Sequence, residues 1–105
     1  MADRHVRVSR NILMVLKMMM EKPLTPYSGA DMARELGLGS GTLYPLLQRL
    51  ENAGWLKSEW EKIDPSEAGR PRRRHYKLTG QGQNKAAKAL AEVQTTAVGV
   101  LAWSS

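Results

Sequence analysis

The chain has no cysteine and only two histidines, His5 and His75, among its 105 residues. Without thiols there is no disulfide framework, no redox pair and no thiolate metal site, and two separated imidazoles are too few for a zinc site. Long hydrophobic runs are missing as well. The longest, Ile12 to Met20, is interrupted by Lys17, and it is far short of the roughly 20 apolar residues that cross a bilayer. Arg4, Arg7 and Arg10 ahead of it imitate the start of a secretory signal, but Glu21-Lys22-Pro23 stands where a small-residue cleavage site would follow. The chain therefore reads as cytoplasmic, with no membrane partner. Signatures of catalysis are also lacking: no Ser-His-acid spacing, phosphate-cradling loop or carboxylate pair stands in a suggestive context. Gly37, Gly39 and Gly41 follow no strand and have no accompanying lysine, so they read as turn punctuation. No enzyme, metal or cofactor is expected.

What is present is ordinary globular material, 42% hydrophobic and 25% charged, in a length that makes one domain. Such a domain buries only about 60–70% of its unfolded surface, so a partner chain would help it. Acid is the minority charge. Ten Asp plus Glu stand against 16 Lys plus Arg, a net +6, which favours a polyanionic partner.

Residues 9–21 read as a helix, with Ser9 able to cap it and Pro23 to stop it. Eight of the nine residues from 12 to 20 are apolar, more than one face of a surface helix requires. A surface beyond the domain core must cover the rest, unless Met14 and Met18 simply face solvent. After a loop with two prolines, Ser28 stands as an N-cap with Asp31 in the following turn, and Gly37 ends a short second helix. The turn Leu38-Gly39-Ser40-Gly41 leads into a third helix to about Ala53, capped by Ser40 or Thr42, with Pro45 near its first turn and Gly54 as its stop. Leu43, Leu46, Leu47 and Leu50 recur at helical spacing as its buried stripe. Segment 55–62 then alternates as a strand, Ile63 to Gly69 forms a polar loop, and 70–79 alternates again. Tyr76 and Leu78 share the face expected to meet Leu56 and Trp60, and Leu36, Leu56, Tyr76 and Leu78 join the leucines of the third helix in the expected core. From Thr79 onward Ala86, Leu90, Val93, Ala97 and Val100 recur at spacings of 4, 3, 4 and 3, a heptad seam of about two repeats.

The fold class is therefore mainly α with a small β-hairpin: a winged helix-turn-helix over residues 1–79, plus a C-terminal dimerisation helix, 80–105, in the same compact unit. The stretch Ser40-Gly41-Thr42-Leu43-Tyr44-Pro45-Leu46-Leu47-Gln48-Arg49-Leu50-Glu51 resembles the recognition-helix signature of the PadR family of bacterial transcription regulators. Gly69-Arg70-Pro71-Arg72-Arg73-Arg74-His75-Tyr76-Lys77-Leu78-Thr79 is similar to that family's wing. The resemblance spans roughly residues 9 to 82. It implies a dimeric winged-helix protein that binds double-stranded DNA, usually as a repressor, with the first and last helices forming the dimer. Ile12, Val15, Leu16 and Met19 are then the expected dimer contacts of the first helix, beside the C-terminal seam. The chain has room for one C-terminal helix only, like the family's short subgroup. Some short members resemble multidrug sensors that hold flat aromatic ligands between paired tryptophans; a gapless count puts Val93 at that position, with Trp103 ten residues later.

The candidate DNA contacts follow from side-chain chemistry. Opposite the leucine stripe, the third helix offers Ser40, Gly41, Thr42, Tyr44, Pro45, Gln48 and Arg49. Gln bonds adenine bidentately, Arg does so with guanine, and hydroxyls suit phosphates or bases. Tyr44 packed on the domain surface is a competing reading, as is Arg49 paired with Glu51, Glu35 or a backbone carbonyl. Residues 70–77 hold Arg70, Arg72, Arg73, Arg74 and Lys77 and no acid, and guanidinium forks suit phosphates and narrow minor grooves. The opposing arm holds Glu59, Glu61, Asp64 and Glu67, which would instead neutralise a solvated basic hairpin. Ser28 is a cap that could also donate to phosphate from a helix N-terminus. Arg4, Arg7 and Arg10 either reach the duplex backbone or solubilise the start of the chain, and His75 faces outward. The function expected is repression by a homodimer at a pseudo-palindromic operator. The alternative is a sensor whose small-molecule effector sits between the first and last helices, against the adaptable methionines.

Overall fold

A computed structural model describes the backbone of residues 6–104 and the side chains of residues 6–93. Helix α1 runs Arg10–Glu21, and Ser9 caps it by accepting the Ile12 N–H at 3.2 Å. Strand β1 (Tyr27–Ser28) passes directly into α2 (Gly29–Leu36), where the Ser28 hydroxyl accepts the Asp31 N–H at 3.0 Å. Gly37 closes α2 at φ 67°, a left-handed conformation that L side chains rarely adopt. Helix α3 spans Ser40–Asn52 and ends on Gly54 at φ 84°. Strand β2 (Leu56–Trp60), the single turn α4 (Pro65–Ala68) and strand β3 (Arg74–Leu78) build a hairpin, and α5 (Gly80–Ser104) completes the chain.

Three helices followed by a hairpin are present as the sequence indicates, with local corrections. The N-cap of α3 is Gly39, not Ser40 or Thr42, and no side chain caps this end. Pro45 is the sixth helical residue, in the second turn rather than the first. It is tolerated because the Gly41 carbonyl it leaves without an intrahelical donor lies on the exposed side. The strands are shorter than 55–62 and 70–79, because Pro71 and its neighbours stay outside the ladder. The loop between them contains α4, capped by Asp64. The sheet has a third strand: β3 is central, antiparallel to both β1 and β2, with Tyr27 opposite Tyr76 and Leu56 opposite Leu78.

The core lies between α1, the leucine stripe of α3 and the base of the hairpin. Ile12, Val15, Leu16, Leu43, Leu47, Leu50 and Met32 are fully enclosed, and Met18, Tyr76 and Leu78 are buried with them. Leu36 only borders this cluster. Helix α5 is tied in at its first turn. The Thr79 hydroxyl donates to the Gly54 carbonyl at 2.6 Å and accepts the Gly82 N–H at 2.9 Å. Gly82 lies so close to β2 that a Cβ there would stand 1.9 Å from the Trp55 carbonyl oxygen. Ala86 then enters the core with no exposed surface.

This packing revises the expectation for α1. Ile12, Val15, Leu16 and Met19 are enclosed within their own chain, leaving no surface for a partner. Their burial also accounts for most of the apolar excess of residues 12–20. Met18 is buried, while Leu13, Met14 and Met20 remain half-buried. Among the described residues, no helix is long and apolar enough to cross a membrane.

Candidate nucleic-acid interface

With its leucines turned inward, α3 presents Ser40, Gly41, Thr42, Tyr44, Pro45, Gln48 and Arg49 on its exposed side. The amide of Gln48 donates to Asn52 Oδ1 at 3.0 Å, which orients it along the helix and leaves its carbonyl oxygen and second N–H available. Asn52 extends this polar face by one turn and was not among the expected contacts. Arg49 forms no ion pair among the described residues; its anticipated partner Glu51 turns toward the hairpin instead. Tyr44 packs on the domain surface, as its competing reading has it, without being enclosed there. Its ring lies against Gly29, where a Cβ would come within 2.7 Å of Cε1 and 2.8 Å of the hydroxyl, yet 40% of the residue is exposed.

The arginines of the wing divide into two kinds. Arg70 reaches back to Glu61 as a fork, donating to the two carboxylate oxygens at 2.7 and 3.1 Å. The Arg73 backbone N–H donates to the same carboxylate at 2.8 Å. These bonds, with the positive charge of Arg70, hold the Glu61 carboxyl at about 2 instead of the ordinary 4.5. Arg74 is also engaged, through Nε to the Ser58 hydroxyl at 2.9 Å, with its guanidinium 5.3 Å from the centre of the Trp60 ring. For Arg70 the pairing with an acid of the opposing arm holds; Arg74 is held within the chain by Ser58, Trp60 and Glu51 instead. Arg72 donates Nε to the Ile63 carbonyl at 2.9 Å, which anchors one edge of its guanidinium, and the residue is exposed. The Arg73 side chain is exposed.

Arg72, Arg73, Arg74, Tyr44, Trp60 and the start of α2 at Gly29 and Ala30 line one recess of about 390 Å³. Cationic forks, a phenol hydroxyl and a helix N-terminus thus converge beside the exposed face of α3. Ser28 borders the recess but is only 2% exposed, with its hydroxyl turned to the Asp31 N–H. Its place is structural, which corrects the expectation of a phosphate contact. Ser28, followed by Arg34, also holds the Asp31 carboxyl below its usual range.

Trp60 lies on the strand face shared with Leu56 and Ser58, across the ladder from Arg74, and is 57% exposed. Alternation along β2 identifies which face it occupies, but its neighbour there is the Arg74 guanidinium and not an apolar side chain. Glu51 and Ser58 were unforeseen, because their contact joins residues on separate elements. His75 is half-buried opposite Glu59, facing a groove that Lys57 and Lys77 also line.

Of the C-terminal seam, Ala86 is in the core, Leu90 is half-buried and Val93 is 47% exposed. The side chains of Ala97, Val100 and Trp103 lie outside the described residues, as does Arg4. Arg7 and Arg10 are exposed. The recess lined by Met14 and Met18, about 260 Å³, also includes Glu35 and Leu36 of α2, so it opens between α1 and α2 rather than between the first and last helices.

Comparisons with known proteins agree with this fold. A PadR-like transcription factor from Bacteroides fragilis is similar in structure, with a TM-score of 0.66, 29% identity and 84% of each chain covered. A PadR family transcriptional regulator from Eggerthella lenta has a TM-score of 0.65 and 25% identity over 82% of this chain and 77% of its own. AbfR of Staphylococcus epidermidis has a TM-score of 0.63 and 29% identity over 81% of this chain; the match spans 52% of AbfR. No curated protein matches the chain. The model of the transcriptional regulator PadR-like family matches residues 15–88, well over half of the sequence. The chain belongs to the PadR-like family of transcriptional regulators.

Proposed function

We propose that this chain represses transcription by binding a pseudo-palindromic operator as a homodimer, with α3 in the major groove and Arg72 and Arg73 on the flanking backbone or minor groove. One observation carries the reading. The uncommitted polar face of α3 and the free guanidinium ends of the wing open side by side around Tyr44, forming one surface of complementary charge. Gln48 and Arg49 supply direct base readout, while Thr42 and Tyr44 hold phosphates. A net charge of +6 supports the approach to the duplex. The protein works where the chromosome is, in the cytoplasm.

The dimer is supported by α5. This helix has 25 residues, about 37 Å at 1.5 Å per residue, and the molecule measures 59 × 33 × 24 Å. Its early turns are seated in the core, whereas Leu90 and Val93 leave apolar surface uncovered. A second copy packed along α5 would bury that surface and place two α3 helices roughly 34–36 Å apart.

Sequencing the fragments that the protein selects from a random duplex pool tests the reading. The expected result is an inverted repeat with half-sites one turn apart, and a template carrying it across a promoter should be transcribed less when the protein is present. A pool without enrichment would contradict it. Light scattering should give twice 11.7 kDa, with Val93→Glu or Leu90→Glu yielding monomer and losing tight operator binding.

A further inference from the structure

We infer that Glu51, Ser58, Arg74 and Trp60 form a lock that sets the angle of the wing against α3, which makes Arg74 a positioning residue rather than a phosphate contact. The inference rests on the DNA-binding reading above and reassigns one of its arginines.

The four side chains come from three elements. Glu51 is in the last turn of α3, Ser58 and Trp60 are on β2, and Arg74 opens β3 directly opposite Trp60. The Ser58 hydroxyl donates to Glu51 Oε2 at 2.6 Å and accepts from Arg74 Nε at 2.9 Å. Arg74 Nη2 stands 3.6 Å from the same carboxylate oxygen, and the guanidinium lies over the Trp60 ring at 5.3 Å. One edge and one face of a rigid plane are thus engaged together, which fixes its orientation in a way an ammonium would not. The side chains of Arg74 and Glu51 are 38% and 24% exposed, so water screens the pair only in part.

The position of the lock gives it leverage. Apolar packing holds the hairpin at its base through Leu56 and Leu78 and reaches as far as Tyr76. Beyond the Ser58–Tyr76 pair, no residue of β2 or β3 is buried. The outer half of the wing, which carries Arg72 and Arg73, is therefore held to α3 by polar contacts. Glu51 has a second claim to this role. A carboxylate at the end of the recognition helix opposes a polyanion, and its engagement with Ser58 and Arg74 is what compensates for that cost.

The test uses the full chain, a duplex selected from a random pool and a scrambled duplex of equal length, each measured across a salt series. Glu51→Gln removes negative charge, so electrostatics alone would tighten binding to both duplexes. The lock instead requires the ratio of selected to scrambled affinity to fall about tenfold, in Glu51→Gln, Ser58→Ala and the charge-preserving Arg74→Lys alike, with the slope of log K against log salt unchanged. A selected-to-scrambled ratio for Glu51→Gln equal to or above that of wild type would overturn the lock. So would Arg74→Gln lowering the slope by about one, the signature of a phosphate contact. Residual dipolar couplings of β2 and β3 amides relative to α3, in the free protein, provide a readout independent of DNA. They should change in Ser58→Ala and Glu51→Gln, and unchanged couplings would refute the lock. A wild type that binds no duplex would remove the DNA reading itself, leaving these couplings to decide whether the lock exists.

Discussion

Helix α3 and the wing are both rich in DNA-compatible side chains, yet the fold treats them differently. On α3 the helical period separates roles cleanly: leucines face inward, and Ser40, Thr42, Gln48 and Arg49 face outward with almost no competing partners. The wing has no such sorting by period. Two of its four arginines are consumed within the chain, Arg70 by Glu61 on the opposing arm and Arg74 by Ser58 of β2 and Glu51 of α3. A uniform basic run therefore holds arginines in two kinds of surroundings. Arg70 and Arg74 shape the hairpin, and that shape points Arg72 and Arg73 outward.

The largest expected effect concerns the frame shared by both regions. Gly82→Ala would press a methyl group onto the Trp55 backbone, where neither α5 nor β2 can yield cheaply. It should destabilise the fold by about 3 kcal/mol or more, read as a lower urea midpoint with an unchanged m value. A variant as stable as wild type would show that α5 is not fastened at this point.

Next in size is the readout by α3. Gln48→Ala should cost about 1–3 kcal/mol at one base pair of the operator and little elsewhere, measured against a panel of single-base operator variants. A uniform loss across the panel would reduce Gln48 to a positioning contact, and α3 would then resemble the wing. Tyr44→Phe should give that uniform pattern, about 1 kcal/mol for one lost hydrogen bond. Gly29→Ala should reproduce it without altering the tyrosine, because the new methyl displaces the ring.

The smallest effect tests the internal use of Arg70. The Glu61 carboxyl is depressed from 4.5 to about 2 in the folded chain, chiefly by its bonds to Arg70 and the Arg73 backbone. Because it binds its proton less readily when folded, its contribution to stability is fully present above pH 4.5 and fades as the pH falls through about 2. The stability difference between wild type and Glu61→Gln should follow that course in denaturation curves at stepped pH. At the surface of the hairpin the difference should be modest, and a difference that does not vary with pH would remove the pair from the account.

Much of this was legible in the sequence because periodicity reports packing on one element at a time. Leu43, Leu46, Leu47 and Leu50, the Ser28 cap and the stops at Gly37 and Gly54 all follow from local chemistry. The two residues of β1 are too few to show alternation, so the third strand could not be read. The apolar excess of α1 pointed to a partner, but residues remote in sequence from α1 enclose it within the chain, which no count along one helix reveals. Ser28 shows the same limit: its cap role is local, whereas its burial depends on where the wing settles. The division of the wing arginines depends on the Leu56–Leu78 register, which decides which acid each guanidinium meets.

The most direct test of the whole account is the salt dependence of binding to the selected operator for wild type, Arg72→Ala with Arg73→Ala, and Arg70→Ala. If the wing is divided as described, the double variant should lose about two from the slope of log K against log salt, while Arg70→Ala keeps the wild-type slope. Equal slopes for wild type and the double variant, or a loss confined to Arg70→Ala, would contradict it.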